Sequence, residues 1–263
     1  MVFRKSFPFA FAFAFTAACT AAIAETVCKD DRKIVGGVDA DIKEHPWQVA
    51  LAPDGQHFAC GGSLIQDRWV VTAAHCFSSK TPPSARIKAG VTNREFGTWI
   101  ETGKIFVHEG YRDDTHENDI ALIKLNGTVS GDIIPLAQPG LDLKTCQRLE
   151  VTGWGAIQED GPAASILQKA ELPLVDNATC NAKDAYDGAI KPGMMCAGLR
   201  DGGIDSCQGD SGGPLVWHSD DGPVLVGVVS WGYGCARKLR YGVYTRLDAF
   251  SDWIANTILA NQN

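Results

Sequence analysis

Three short stretches of this chain carry side chains that together can activate a weak nucleophile. They are Thr72-Ala73-Ala74-His75-Cys76, Asn118-Asp119-Ile120-Ala121-Leu122 and Gly209-Asp210-Ser211-Gly212-Gly213-Pro214. A serine hydroxyl alone is a feeble nucleophile. It needs a neutral imidazole to take its proton, and the imidazole needs a carboxylate to fix its tautomer and stabilise its charged form. Glycines around the serine let backbone N–H groups approach a developing oxyanion without side-chain obstruction. His75, Asp119 and Ser211 are therefore the candidate catalytic residues. Taken singly, each has a plainer reading: a core histidine beside a disulfide, a turn aspartate, a loop serine.

The stretch Gly209-Asp210-Ser211-Gly212-Gly213 also fits the G-x-S-x-G elbow of α/β-hydrolases, where the order is serine, acid, histidine and a helix follows the serine. Here the order is histidine, aspartate, serine, and Gly212-Gly213-Pro214 is a poor helix start. That esterase chemistry is excluded.

The elements that must hold these residues read as strands. Short runs rich in Val, Ile, Leu and Trp fall at residues 47–51, 62–65, 69–72, 105–107, 120–125, 149–152, 214–217, 224–230 and 242–245, with Gly, Pro, Asp or Ser between them. Such spacing predicts antiparallel sheets closed into barrels or sandwiches. Residues 250–259 read as a helix, with Phe250, Ile254 and Ile258 spaced four apart. His57 is assigned to a strand outside the catalytic motifs. With His45, His108 and His218 it reads as an ordinary surface or rim histidine.

Residues 1–24 are set aside as a secretory signal peptide. Arg4 and Lys5 precede an apolar run from Phe7 that ends in Ala22-Ile23-Ala24. The competing reading is a membrane anchor, because the run nearly reaches spanning length. The signal reading implies a secreted protein, extracellular or periplasmic, with no membrane partner. It also removes Cys19, leaving eight of nine cysteines. An even count in an exported chain reads as disulfides, and the absence of any C-x-x-C pair argues against a structural metal. The net charge is −7, and −9 once Arg4 and Lys5 are removed. A nucleic-acid partner is therefore disfavoured.

The three motifs, in this order, resemble the chymotrypsin/trypsin family of serine peptidases. So do Ile34-Val35-Gly36-Gly37, Cys60-Gly61-Gly62-Ser63-Leu64-Ile65, Gly153-Trp154-Gly155 and Ser230-Trp231-Gly232. The resemblance implies an all-β fold of two antiparallel six-stranded β-barrels with a C-terminal helix and the triad in the cleft between them. It makes Ser211 the nucleophile, His75 the base and then acid, and Asp119 the orienting carboxylate, with an oxyanion hole at the N–H groups of Gly209 and Ser211. It puts Asp205 and Ser206 at the base of a Lys/Arg pocket walled by Ser230, Trp231, Gly232 and Gly242, and His116 beside the next subsite. It implies a zymogen with a propeptide at 25–33 and a peptidase domain at 34–263. A cut between Lys33 and Ile34, by a trypsin-like protease or by the enzyme itself, frees an amine that pairs with Asp210. Disulfides Cys60–Cys76, Cys180–Cys196 and Cys207–Cys235 follow from the match. Cys28 and Cys146 remain and are expected to pair, which would tether the propeptide.

The expected partners are protein or peptide substrates with Lys or Arg at the cut, and protein inhibitors. An inactive homologue kept as a binding module would show a substituted triad or a blocked pocket, and this sequence shows neither. The segment 90–108 is shorter than the calcium loop of trypsins, and Glu95 and Glu101 are out of register with its acidic ligands. No calcium, other metal or cofactor is expected. Tyr241 stands where trypsin usually has proline, as in sodium-responsive relatives; the alternative is a surface tyrosine.

Overall fold

Strands of four to ten residues, most with apolar side chains directed inward, build two closed sheets. The computed structural model describes residues 1, 28, 37–77, 85–129 and 131–262. Lys33, Ile34 and, apart from Met1, the expected signal segment lie outside the described residues. The first set of strands is β1 (Val38–Asp39), β2 (Gln48–Ala52), β3 (Cys60–Gln66), β4 (Trp69–Thr72), β5 (Arg86–Ala89), β6 (Ile100–Val107) and β7 (Ala121–Leu125). The second is β8 (Arg148–Gly153), β9 (Gln168–Val175), β10 (Met194–Ala197), β11 (Pro214–Ser219), β12 (Gly222–Trp231) and β13 (Gly242–Arg246). Helix α1 (Asn177–Cys180) follows β9, and helix α2 (Ser251–Ala260) ends the described chain.

β2, β3, β4, β7, β6 and β5 pair in that order and close on themselves, with Val49 opposite Ala89 at the seam. β9, β10, β13, β12, β11 and β8 form the second barrel, sealed where Val151 meets Ala170, and β1 adds to β9. Every pairing in both barrels is antiparallel, so the fold is the expected pair of six-stranded barrels.

Val49, Leu51, Leu64, Ile87 and Ile123 fill the first barrel, and α2 joins this core through Ile254, with Leu247 and Phe250 from the preceding turn. Leu149, Val151, Leu172, Leu215, Val226 and Tyr244 fill the second. Each such side chain contributes roughly 1.5–3 kcal/mol on leaving water. Successive residues on β13 show the two-residue period: Val243 packs with the Cys180–Cys196 layer, while Tyr244 points into the barrel.

The barrels meet through polar side chains as well. Thr152 Oγ1 donates to Gln48 Oε1 at 2.6 Å. Glu150 on β8 sits 2.9 Å from both His45 Nε2 and His218 Nε2. His45 is thus no surface histidine: it is 1% exposed, because its ring bridges Glu150 and the Asp41 carbonyl. His57 lies in an exposed turn rather than a strand, where Asp54 accepts from its backbone and faces its ring at 2.8 Å.

Candidate active site

His75 sits in the 3₁₀ turn Ala74–Phe77 that follows β4, and the Cys60–Cys76 disulfide ties this turn to β3. Asp119, 1% exposed, immediately precedes Ile120 and β7. Its Oδ1 accepts the backbone N–H of His75 at 2.9 Å, and its Oδ2 accepts from Nδ1 at 2.8 Å. With its proton on Nδ1, a neutral ring keeps Nε2 as a proton acceptor.

A further donor reaches the same carboxylate. Val229 pairs with Tyr244 and Trp231 with Val243, so Ser230 is the extra residue of a β-bulge in β12. The bulge turns its hydroxyl toward Asp119 Oδ2, to which it donates. Burial by itself would raise the Asp119 pKa. The hydrogen bonds from His75 and Ser230, with the charge of His75, outweigh burial and hold the carboxyl below its ordinary range.

Ser211 is hung on the first barrel by its carbonyl, which accepts the Gly61 N–H at 2.7 Å. Gly61 adjoins Cys60, so one short path of backbone and disulfide links Ser211 to the turn that carries His75. Gly212 makes this approach feasible. Its φ is +80°, and a Cβ there would lie 2.1 Å from Thr72 Oγ1 and 2.6 Å from the Gly61 carbonyl. The N–H groups of Asp210, Gly212 and Gly213 donate to the carbonyls of Cys207, Val229 and Asp210.

Beside Ser211 opens a pocket of about 150 Å³. Asp205, Ser206, Ser230, Trp231, Gly232 and Gly242, the residues expected there, all line it. The Asp205 carboxylate accepts from Ser206 N at 2.8 Å and Ala236 N at 3.1 Å. The residue keeps some surface, but its carboxyl points inward; desolvation outweighs these bonds and pushes its pKa up to about 7. Gly242 keeps the slot open, since a Cβ there would stand 2.6 Å from Asp205 Oδ1. Cys207–Cys235 joins two stretches of the pocket wall.

Behind this pocket lies another, lined by Gly37, Gly153, Gly155, Asp205 and Asp210 among others. Asp210 accepts from Gly155 N at 2.8 Å and Cys207 N at 2.9 Å, and desolvation pushes its pKa up to about 6. On the other side of the cleft, His116 lies edge-on to His75 at 5.9 Å and stacks on Trp231 at 6.0 Å. Burial, only partly offset by nearby Asp119, pushes the His116 pKa down.

A family model described as Trypsin matches residues 34–254. The chain is 40% identical over 237 residues to transmembrane protease serine 11C of Mus musculus, covering 88% of this chain and 55% of that protein. It is 41% identical over 238 residues to transmembrane protease serine 11E of Mus musculus, covering 85% and 54%. The chain belongs to the trypsin family of serine proteases.

It spans about half the length of these curated relatives. Their names correct one expectation. Secretion without a membrane partner does not stand beside relatives named as transmembrane proteases. The physical reason for the misreading is length: an apolar run of 18 residues, 7–24, serves equally as a cleaved leader or as most of a span. That run lies outside the described residues, among which no helix is long and apolar enough to cross a membrane.

One other position within this trypsin-family domain, Tyr241, differs from the surface reading the sequence offered. Tyr241 is 3% exposed, not a surface residue, and its carbonyl accepts from Tyr186 Oη at 2.6 Å. Glu95 and Glu101 are engaged by Arg94 at 3.1 Å and Arg86 at 3.0 Å. Sequence reasoning missed Tyr244, whose hydroxyl is 3.4 Å from Ser206 Oγ. The alternation of Gly242 and Tyr244 on one strand face was the available signal. It also missed Tyr186 and Tyr233, which pack against each other and against Trp231. Tyr186 comes from a loop without periodicity, so no local pattern pointed to it.

Proposed function

We propose that this chain is a serine endopeptidase that cuts after Lys or Arg and is made as a precursor activated between Lys33 and Ile34. The observation that carries the reading is the double grip of Asp119 on His75, beside a serine whose carbonyl is tied to Gly61. Ser211 Oγ attacks the scissile carbonyl as His75 takes its proton, and Asp119 stabilises the imidazolium so formed. The N–H groups of Gly209 and Ser211 receive the oxyanion; the engagement of the neighbouring N–H groups elsewhere supports this assignment. His75 then protonates the leaving amine, leaving an acyl-Ser211. It next activates a water that releases the acid and restores the hydroxyl.

Specificity follows from Asp205. A substrate Lys or Arg would supply the counter-charge that this desolvated carboxylate lacks, while an apolar side chain would leave it unpaired. Asp210 fits as partner of the amine freed at Ile34, since Gly37, three residues on, lines the pocket that holds it. Such a buried pair, absent before the cut, can act as a switch. The Cys28–Cys146 disulfide supports retention of the propeptide after activation. The partners are then protein or peptide substrates with Lys or Arg, an activating trypsin-like protease or the enzyme itself, and protein inhibitors.

The test is to activate the precursor with trypsin, remove the trypsin, and profile a peptide library alongside Ser211→Ala. Cleavage confined to Lys and Arg bonds and absent in the variant is expected. Cleavage after apolar residues would refute the specificity, and activity in Ser211→Ala would refute the mechanism.

A further inference from the structure

We infer that His75, His116 and Asp119 form a transition-metal site within the catalytic centre, through which zinc(II) switches the enzyme off reversibly. One ligand atom from each of these residues lies within 4.8 Å of the other two. Donors on a tetrahedral zinc with bonds of about 2.0–2.2 Å stand roughly 3.3–3.6 Å apart. Adjustments of about an ångström therefore bring the three onto one ion. Two imidazoles and one carboxylate, with a fourth position left for water, is a donor set that zinc accepts.

His116 has features that packing alone does not call for. Its Nδ1 is buried without a hydrogen-bond partner, a state that buried polar atoms rarely keep. Its backbone φ is +53°, where a histidine is uncommon. Its ring is steadied by stacking on Trp231 and set edge-on to His75. The Asp119 carboxylate already faces His75. The other close grouping of such side chains among the described residues, His75 with Cys60 and Cys76, has both sulfurs bonded to each other and offers no thiolate.

The inhibitory consequence rests on the peptidase reading; the binding itself does not. A neutral imidazole has one lone pair. A metal on His75 Nε2 occupies the pair that would take the proton of Ser211. A metal on Nδ1 displaces the proton shared with Asp119 and leaves the ring protonated on Nε2, where it can accept nothing. Either way zinc removes the base, and a chelator restores it.

The test uses zinc chloride in a non-chelating buffer. Calorimetry follows its binding to activated Ser211→Ala protein and to the same protein with His116→Asn, a residue that tolerates the left-handed backbone. In parallel, hydrolysis of a lysyl peptide is followed for the activated enzyme with and without His116→Asn, each relative to its own zinc-free rate. One equivalent of zinc should bind Ser211→Ala protein, and His116→Asn should weaken it at least about tenfold, since losing even an outer-shell partner costs 10–100-fold. Inhibition should weaken by the same factor and reverse with EDTA. His116→Gln, at the same position, should repeat the result. Equal zinc affinity with and without His116, or no saturable binding, would overturn the site. Binding that depends on His116 without inhibition would overturn the switch. Absence of any hydrolysis would instead count against the peptidase reading, with calorimetry still deciding the metal site.

Discussion

Replacing Asp205 by Asn removes one charge and almost no volume, so it isolates what the carboxylate does. In the wild type its two oxygens accept N–H groups from Ser206 and Ala236. The amide keeps one acceptor and turns its NH₂ toward the other N–H. A bound Lys or Arg would then enter a desolvated slot with no counter-charge. Removing one partner of a buried pair costs about 3–5 kcal/mol. At about 1.4 kcal/mol per tenfold, kcat/KM for lysyl and arginyl peptides should fall by roughly 10²–10⁴. Peptides with a neutral residue of similar length, such as citrulline, should change by less than about tenfold, since they never used the charge.

Stability should move the opposite way. The Asp205 pKa is raised from 3.8 to about 7, so the native state binds more protons than the unfolded state between those values. Its contribution therefore worsens as pH rises through that window, reaching a burden of roughly 4 kcal/mol above it. Asp205→Asn should melt higher than its parent at pH 8, less the cost of the opposed N–H groups, and gain little at pH 4. Steady-state kinetics on matched peptides and thermal melts in a Ser211→Ala background measure both. Unchanged kcat/KM for lysyl peptides, or an equal loss on citrulline peptides, would refute the assignment of the pocket.

Ser230→Ala removes a hydrogen bond to the Asp119 carboxylate. A bond to a charged group contributes about 1.5–3 kcal/mol, so kcat should fall by roughly 10–100-fold, with the disulfides unaltered and the melting temperature lowered by roughly 3–12 °C. Gly242→Ala puts a methyl 2.6 Å from Asp205 Oδ1. Overpacking of about 1–3 kcal/mol should raise KM for lysyl and arginyl peptides by roughly 5–150-fold. The Glu150 pKa is lowered from 4.5 to about 2, where bonds from His45 and His218 outweigh the burial that would raise it. The stability it adds, roughly 3 kcal/mol, is present above pH 4.5 and lost as pH falls toward 2. Urea midpoints between pH 2 and 7 should show this loss, and Glu150→Gln should flatten it.

His75, Asp119 and Ser211 were legible as candidates because each sits in a tight local motif whose neighbours the proposed chemistry needs. Asp205 was named only through the family resemblance, which places it six residues before Ser211. What stayed hidden was set by pairing between distant strands. The bond from Ser230 to Asp119 depends on a bulge against β13, which no stretch of β12 reveals alone. β5 is four residues of mixed polarity, β9 contains Pro173 as well as the charged Lys169 and Glu171, and β10 lacks β-branched side chains. None gave a strand signal, yet each closes a barrel. His45 looked like a surface residue because its partner Glu150 lies 105 positions away.

The proposed reaction stands or falls on Ser211, activated by His75, as its nucleophile. The most direct measurement is the mass of the activated protein after exposure to an organofluorophosphonate, which esterifies only an activated serine hydroxyl. A single adduct is expected, located on Ser211 by peptide mapping and lost in His75→Ala. An adduct on another residue, an undiminished adduct on Ser211 in His75→Ala, or no adduct in an enzyme that still cleaves lysyl peptides would contradict it.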